Sequence, residues 1–92
     1  MPGPRYRAAA ADQVLVEPLD LFTAIFHRPS GITHLLTEPA PQILAVLAQE
    51  PLDAEELLAR LARDYELGDG EGAELLAERL GELEAAGLVD RV

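Results

Sequence analysis

The first third of the chain carries short apolar runs and alternating patterns that predict β-strands. Residues 14–18 (VLVEP) are β-branched and end at a proline, which favours a short edge strand. Residues 21–28 (LFTAIFHR) alternate along their length, and residues 32–37 (ITHLLT) continue in the same style. Residues 1–13 show no clear period, so we expect a flexible N-terminal arm that precedes a domain spanning residues 14–92.

A Pro29-Ser30-Gly31 segment separates the second and third predicted strands and is typical of a three-residue hairpin loop. That loop places Phe26 opposite His34 and His27 opposite Thr33. The core face is then predicted to hold four apolar side chains, those of Phe22, Phe26, Ile32 and Leu36. His34 would share this face, and His27 would lie half-exposed on the other.

Helical periodicity takes over after residue 37. Thr37 is a candidate cap for a first helix, and Asp53 with Glu56 has the spacing of a capping box for a second. The last helix is predicted from about Glu71 to Ala86, after a turn at 66–72, and Gly87 occupies the position of a left-handed C-terminal stop. A three-stranded antiparallel sheet followed by three helices describes an α+β fold of the winged helix-turn-helix type.

Composition and charge narrow the function classes. The chain has 92 residues, no cysteine and a formal charge of −10, so thiolate metal sites and disulfides are excluded. No apolar run reaches the roughly 20 residues that span a bilayer, and we expect a cytoplasmic protein without a membrane partner. Three of the 17 acidic residues lie in residues 1–37 and the others follow, which makes the helical part strongly acidic.

This acidity argues against nucleic acid as a partner. In helix-turn-helix regulators the last helix enters the major groove with cationic or amide side chains. The exposed positions predicted here are instead acidic, with Arg79 as the single cation: Glu71, Glu74, Glu78, Glu82 and Glu84. Such a helix repels phosphate.

The two histidines raise a metal or catalytic alternative. A two-histidine metal site needs both imidazoles on one side of the sheet and usually a third ligand, whereas the predicted register separates His27 from His34. A four-residue loop would pair the histidines directly, so this alternative stays open. Ser30 lies at a hairpin tip without a foreseeable pocket or orienting group, which argues against nucleophilic catalysis. We therefore expect no catalytic residues, metal or cofactor.

The third strand has a free edge, which in proteins is either protected or used to pair with an extended peptide. At this point the sequence resembles a known family. The stretch "LFTAIFHRPSGITHLLTEPAPQIL", the capped "LDAEELLARL" and the closing "LGELEAAGLV" resemble the PqqD-like family over roughly residues 14–90. The closest likeness is to the branch named the HPr-rel-A system PqqD family, through His27-Arg-Pro-Ser-Gly-Ile-Thr-His34.

The resemblance implies a function without catalysis. PqqD-like proteins are peptide chaperones, or RiPP recognition elements, that bind the leader of a ribosomally made precursor peptide as an added strand. They then present it to a modifying enzyme. Carried over residue by residue, the peptide-binding groove would have one wall on the third strand and one on the last helix: Ile32, Thr33, His34, Leu35, Leu36 and Thr37, with Leu76, Arg79, Leu80 and Leu83.

Three alternatives remain open from the sequence. The chain could be an adaptor that docks on an HPr-kinase-related protein through its acidic helix without binding a leader. It could handle a metal or phosphate through His27 and His34. The open edge could also pair two copies into a homodimer, which would compete with peptide.

Overall fold

The computed structural model describes residues 3–65 and 72–92. Its strands and helices follow in the order β1 (Arg5–Ala8), a 3-10 turn (Ala11–Gln13), β2 (Val14–Pro18), β3 (Thr23–His27), β4 (Ile32–Leu36), α1 (Ala40–Gln49), β5 (Leu52–Asp53), α2 (Ala54–Tyr65), α3 (Gly72–Ala85) and β6 (Val89–Arg91). The turn predicted for 66–72 lies outside the described residues apart from Gly72, and so does Glu71.

Two antiparallel three-stranded sheets form the β part. The hairpin sheet has the order β2-β3-β4, as predicted, and the terminal sheet has the order β5-β1-β6. The terminal sheet was not predicted: Arg5–Ala8, which the sequence pattern assigns to a flexible arm, is its central strand. The segment lacks the β-branched residues that signal a strand, and both of its partners lie far away in the sequence.

The terminal sheet is tied to the last helix by side chains as well as by backbone. Arg91 Nε donates to Glu84 Oε2 at 2.9 Å, and the guanidinium lies 5.7 Å from the centroid of the Tyr6 ring. The hydrogen bond to Glu84, together with its negative charge, raises the pKa of Arg91 above its ordinary value. Tyr6 also packs against the core, so β1 is anchored on both sides.

The core lies between the three helices and the terminal sheet, and Ile25 of the hairpin sheet packs against it. Its fully buried side chains come mainly from the helices and β6, with Ile25 from β3: they include Ile43, Val46, Leu57, Leu61, Leu76, Leu80, Leu83, Leu88 and Val89. The helices contribute leucines at three- and four-residue spacing, as the sequence predicts.

Helix boundaries follow the predicted capping chemistry at two places. The amide of Glu56 donates to Asp53 Oδ1 at 2.8 Å, and the amide of Asp53 donates to Glu56 Oε1 at 3.1 Å, which confirms the capping box. At the end of α3 the amide of Leu88 donates to the carbonyl of Leu83 at 2.9 Å around Gly87, whose φ is 81°. Together with the bond from the Gly87 amide to the Glu84 carbonyl at 3.1 Å, this bond forms the predicted Schellman motif.

The start of α1 differs from its prediction. The helix begins at Ala40, and no side chain caps its first turn. Thr37 contributes its backbone carbonyl, which accepts the amide of Ala40 at 3.0 Å. The threonine hydroxyl is therefore not the cap that the sequence predicts.

Candidate functional site

The hairpin loop has four residues rather than three. His27 pairs with Ile32, Ile25 with His34, and Thr23 with Leu36, which corrects the predicted register. The four-residue loop does not pair the two histidines directly, contrary to the prediction. The loop spans 28–31, and Gly31 adopts the left-handed conformation with φ 72°. Ser30 Oγ lies 2.8 Å from His27 Nδ1 inside this loop. This contact fixes the ring of His27 against the turn.

The shift of one residue exchanges the two faces of β3 relative to β4. Ile25 and His27 point into the core, with exposed fractions of 3% and 8%, whereas Phe22 is 45% exposed. The predicted core face was therefore wrong for Phe22 and Phe26, and His27 is buried rather than half-exposed. His34 shares the inner face with His27, opposite Ile25 and not beside Phe26.

The outer edge of β4 is open. β4 is the last strand of its sheet and pairs with β3 on one side. Within residues 3–65 and 72–92, no strand and no backbone hydrogen bond reaches its other side. The N-terminal segment, which could have sealed this edge, pairs in the terminal sheet instead.

Two hydrogen bonds at the ends of the β2–β3 pair show which backbone groups of β4 point outward. The amide of Arg28 donates to the carbonyl of Gln13 at 2.8 Å, and the amide of Leu19 donates to the carbonyl of Phe22 at 2.7 Å. Residues along an antiparallel strand bond alternately to one neighbour and the other. The even-numbered residues of β3 therefore bond to β2, and its odd-numbered residues bond to β4.

The outward groups of β4 follow from its register. The partners of the odd-numbered β3 residues are Ile32, His34 and Leu36, so these three bond back to β3. The amide and carbonyl groups of Thr33 and Leu35 consequently point to the open edge. An extended chain would find two donors and two acceptors there.

The side chains of β4 offer apolar surface on both faces of this edge. Leu35 is 62% exposed on the outer face, and Ile32 is 53% exposed on the inner face. Leu36 is half-buried and packs against the core. Thr33 and Thr37 are exposed. The strand thus combines free backbone groups with uncovered apolar side chains.

The predicted groove residues on α3 are more buried than those on β4. Leu76, Leu80 and Leu83 are 2–3% exposed and belong to the core, so they hold the helix in place and do not line a surface. Arg79 is half-buried, and its guanidinium contacts Glu82 at 3.0 Å and Glu78 at 3.3 Å. Leu75, which is not among the predicted groove residues, is 39% exposed and shares the face of Arg79 at i,i+4 spacing.

The structure brings the two histidines to one face of the hairpin sheet. They lie on the same face, but His27 Nδ1 is occupied by Ser30. In the part of the chain that the structure describes, no three histidine, cysteine or acidic side chains cluster as metal ligands. His34 Nε2 is buried and has no hydrogen-bond partner among these residues.

A separate cavity lies at the opposite edge of the hairpin sheet. It has a volume of about 510 Å³ and is lined by apolar side chains of β2, α1 and the alanine-rich segment 8–11. Val16 and Ala45 are among its lining residues. Its lining offers few polar groups that could orient a ligand. The open edge of β4 is the better candidate site.

Comparisons with protein-family profiles and with curated proteins find no match for this chain. Among solved structures, the chain is similar to TbiB1 in complex with the TbiA(beta) leader peptide, with a TM-score of 0.69 and 18% sequence identity. The alignment covers 91% of this chain and 94% of that chain.

The two chains share a fold. This likeness confirms the predicted α+β architecture of the winged-helix type. At this level of identity it concerns the backbone arrangement and not the PqqD-like family in particular, so family membership stays a prediction. No helix within residues 3–65 and 72–92 is both long and apolar enough to cross a bilayer.

Proposed function

We propose that this chain binds the leader of a precursor peptide as an additional strand on the outer edge of β4. The observation that carries the proposal is the uncovered edge with outward-pointing amide and carbonyl groups at Thr33 and Leu35. The fold neighbour TbiB1 was solved with a leader peptide bound, which supports a peptide as the occupant. Strand addition uses backbone hydrogen bonds for affinity and alternate side chains for specificity.

The sequence of β4 supports this use because it lacks the devices that protect free edges. Proteins block such edges with proline, lysine, bulges or covering segments. The segment ITHLL contains neither proline nor lysine, and its pairing with β3 is regular. β2, at the other edge of the sheet, ends at Pro18. The contrast favours β4 as the receiving edge.

Further parts of the proposal rest on the resemblance to PqqD-like proteins. The chain would act without catalysis or cofactor, as a cytoplasmic RiPP recognition element that presents the peptide to a modifying enzyme. The HPr-rel-A branch would make an HPr-kinase-related protein the partner. An adaptor that binds such a partner without a leader is not favoured, because it gives no role to the open edge.

A proline substitution at the edge tests strand addition directly. Thr33→Pro removes an outward amide and leaves the hydrogen bonds between β3 and β4 in place, so the peptide loses a donor. Losing one such bond, with the peptide carbonyl left unpaired, costs about 1–3 kcal/mol. We expect the Kd for a precursor peptide encoded beside this gene to rise about 5- to 150-fold.

Val16→Pro is the matched control. The backbone amide of Val16 points away from β3, on the other edge of the same sheet. The Val16→Pro substitution therefore introduces the same residue at a similar cost to the stability of the fold. Peptide affinity should stay unchanged in this variant, while circular dichroism and thermal melting show both variants folded. In the wild-type protein, peptide should shift the backbone amide resonances of residues 32–37. A folded Thr33→Pro variant that binds as tightly as Val16→Pro would contradict the proposal.

A further inference from the structure

The outer edge of β2 has backbone groups that the fold leaves unpaired. The odd-numbered residues of β2 bond to β3, so the amide and carbonyl of Val16 point away from the sheet. Within residues 3–65 and 72–92, no other backbone hydrogen bond reaches Val16 and no strand lies beyond β2. This edge is short, because Pro18 ends the strand and has no amide to donate. Backbone bonds alone therefore hold an added strand only weakly here.

The apolar cavity between β2 and α1 opens at this edge. Val16 lines the cavity and is 55% exposed, although its side chain shares the inner face of the sheet with Ile25. Alternate side chains of a strand added beside β2 would point to the same face. The volume of about 510 Å³ lies within the range of about 300–1,000 Å³ that holds whole small-molecule ligands. A large side chain of an added strand therefore fits.

The composition of α1 favours an apolar occupant. The helix APQILAVLAQ contains no charged residue, although 26% of the chain is charged. Ile43, Val46 and Leu47 face the core, whereas Ala45 and Ala48 are exposed and line the cavity. The solvent side of a helix normally carries charged and polar residues. Their absence on this side of α1 is typical of a surface that another apolar group covers.

The charges around the cavity leave one cation unpaired. Its charged lining residues are Arg7 and Glu50. The carboxylate of Glu50 contacts Arg60 at 3.5 Å, whereas Arg7 makes no ion pair in the part of the chain that the structure describes. Arginine forms directional, charge-assisted hydrogen bonds with carboxylates. An acidic side chain on the occupant would therefore complement Arg7.

We infer that the outer edge of β2 and this cavity form a second binding site, which takes an extended segment of another protein. The segment adds a strand to β2, inserts a large apolar side chain beside Val16 and places an acidic side chain near Arg7. Because the free edge is short, the apolar side chain supplies much of the affinity. The site is independent of leader binding at β4.

Charge and topology favour a separate protein over a second copy of this chain or the precursor peptide. Each copy carries a net charge of −10, so two copies repel each other. β2 and β4 are opposite edges of one sheet, so a leader on β4 leaves β2 free. Both edges can then be occupied at once.

Selection from a displayed library of random peptides tests the site without a known partner. The selection target is Thr33→Pro, which impairs the β4 edge and leaves β2 intact. We expect enrichment of Phe, Trp, Leu, Ile or Met at one position, with Asp or Glu nearby. When Arg7→Gln is added to the target, the acidic preference should disappear and the apolar preference should persist.

Titration of a selected peptide into the wild-type protein locates the site. The amide resonances of residues 14–17 and of α1 should shift, and those of residues 32–37 should not. Replacing the central apolar residue of the peptide by alanine should raise the Kd about 10- to 150-fold, because the burial of one large side chain is lost. Val16→Pro should raise the Kd about 5- to 150-fold through the lost amide.

Filling the cavity tests its role apart from the backbone edge. Ala45→Trp places a large side chain at an exposed lining position and should weaken binding of the selected peptide at least ten-fold. Ala59→Trp is the matched control, because Ala59 is exposed on α2 and does not line the cavity. This control should bind as the wild-type protein does, and circular dichroism should show both variants folded.

The inference is overturned if no peptide is enriched, if selected peptides shift residues 32–37 instead of 14–17, or if Ala45→Trp and Ala59→Trp bind equally well. A precursor peptide that binds Thr33→Pro and shifts residues 14–17 would make the precursor the occupant. A dimer in sedimentation that Val16→Pro dissociates would make a second copy the occupant. Each of these results also contradicts the inference. The leader function at β4 is measured separately with the precursor peptide on Thr33→Pro and Val16→Pro, so the two failures are distinguishable.

Discussion

Replacing Gly87 by alanine tests how the end of α3 is fitted to the hairpin. Gly87 has a φ of 81°, and a Cβ at this position would lie 3.1 Å from His27 Cε1 and 3.4 Å from Nε2. The ring cannot easily turn away, because it is 8% exposed and its Nδ1 is held by Ser30 at 2.8 Å. The substitution therefore combines backbone strain with a steric contact.

Gly31 separates these two contributions. Its φ is 72°, close to that of Gly87, but a Cβ there would meet nothing within 4 Å. A left-handed conformation costs a non-glycine residue roughly 1–2 kcal/mol, which is the expected loss for Gly31→Ala. Gly87→Ala adds the displacement of His27 and the weakening of its bond to Ser30, together about 1–2 kcal/mol. We expect about 2–4 kcal/mol in total for Gly87→Ala.

Urea unfolding of the two variants, followed by far-UV circular dichroism, measures this difference in the free energy of unfolding. Adding His27→Ala to Gly87→Ala should recover much of the steric contribution, so the two substitutions should be non-additive. Equal destabilisation by Gly31→Ala and Gly87→Ala, or additivity of the pair, would show that the imidazole does not press on the turn and that the reasoning is wrong.

Three further predictions concern the stability of the fold that carries the open edge of β4. Asp53→Ala removes the side-chain acceptor of the capping box and should lower the free energy of unfolding by about 1 kcal/mol, with faster amide hydrogen exchange at Glu56. Leu61→Ala, at a position 0% exposed, should cost about 2–5 kcal/mol in denaturant unfolding, whereas Leu35→Ala, 62% exposed, should stay within about 0.5 kcal/mol. Deleting residues 1–9 removes the central strand of the terminal sheet and should abolish the cooperative thermal transition seen by calorimetry, while a melting temperature equal to that of the intact chain would mean that this strand is dispensable.

The helices and the hairpin sheet were accessible to sequence reasoning because their signals are local. The residues that signal a helix end lie within a few positions of that end. Examples are the capping box of Asp53 and Glu56 and the glycine stop at Gly87. The terminal sheet lacks such a signal. Its central strand, RYRA, pairs with the short segment LD and with VDR near the other end of the chain, and pairings over such distances leave no periodic pattern.

The faces of the hairpin were harder to predict because both sides of β3 carry apolar residues. Phe22 and Phe26 are the larger side chains and suggested the core face, yet Ile25 is the residue that is 3% exposed. Which face of β3 is buried depends on whether the hairpin loop has three or four residues. The Pro-Ser-Gly segment does not determine the loop length by itself. That β4 is an edge strand was predictable from the order of the strands, but which of its backbone groups point outward required the register.

The contrast between the two sheets has a consequence for the order in which the molecule assembles. The hairpin sheet is complete once residue 36 has left the ribosome, and its strands are separated by short turns, so it can form early and quickly. The terminal sheet must wait for residues 89–91 to meet β1. A nascent chain would thus expose the open edge of β4 before the helices have folded. Two incompletely synthesised chains could therefore pair through their β4 edges and aggregate during synthesis.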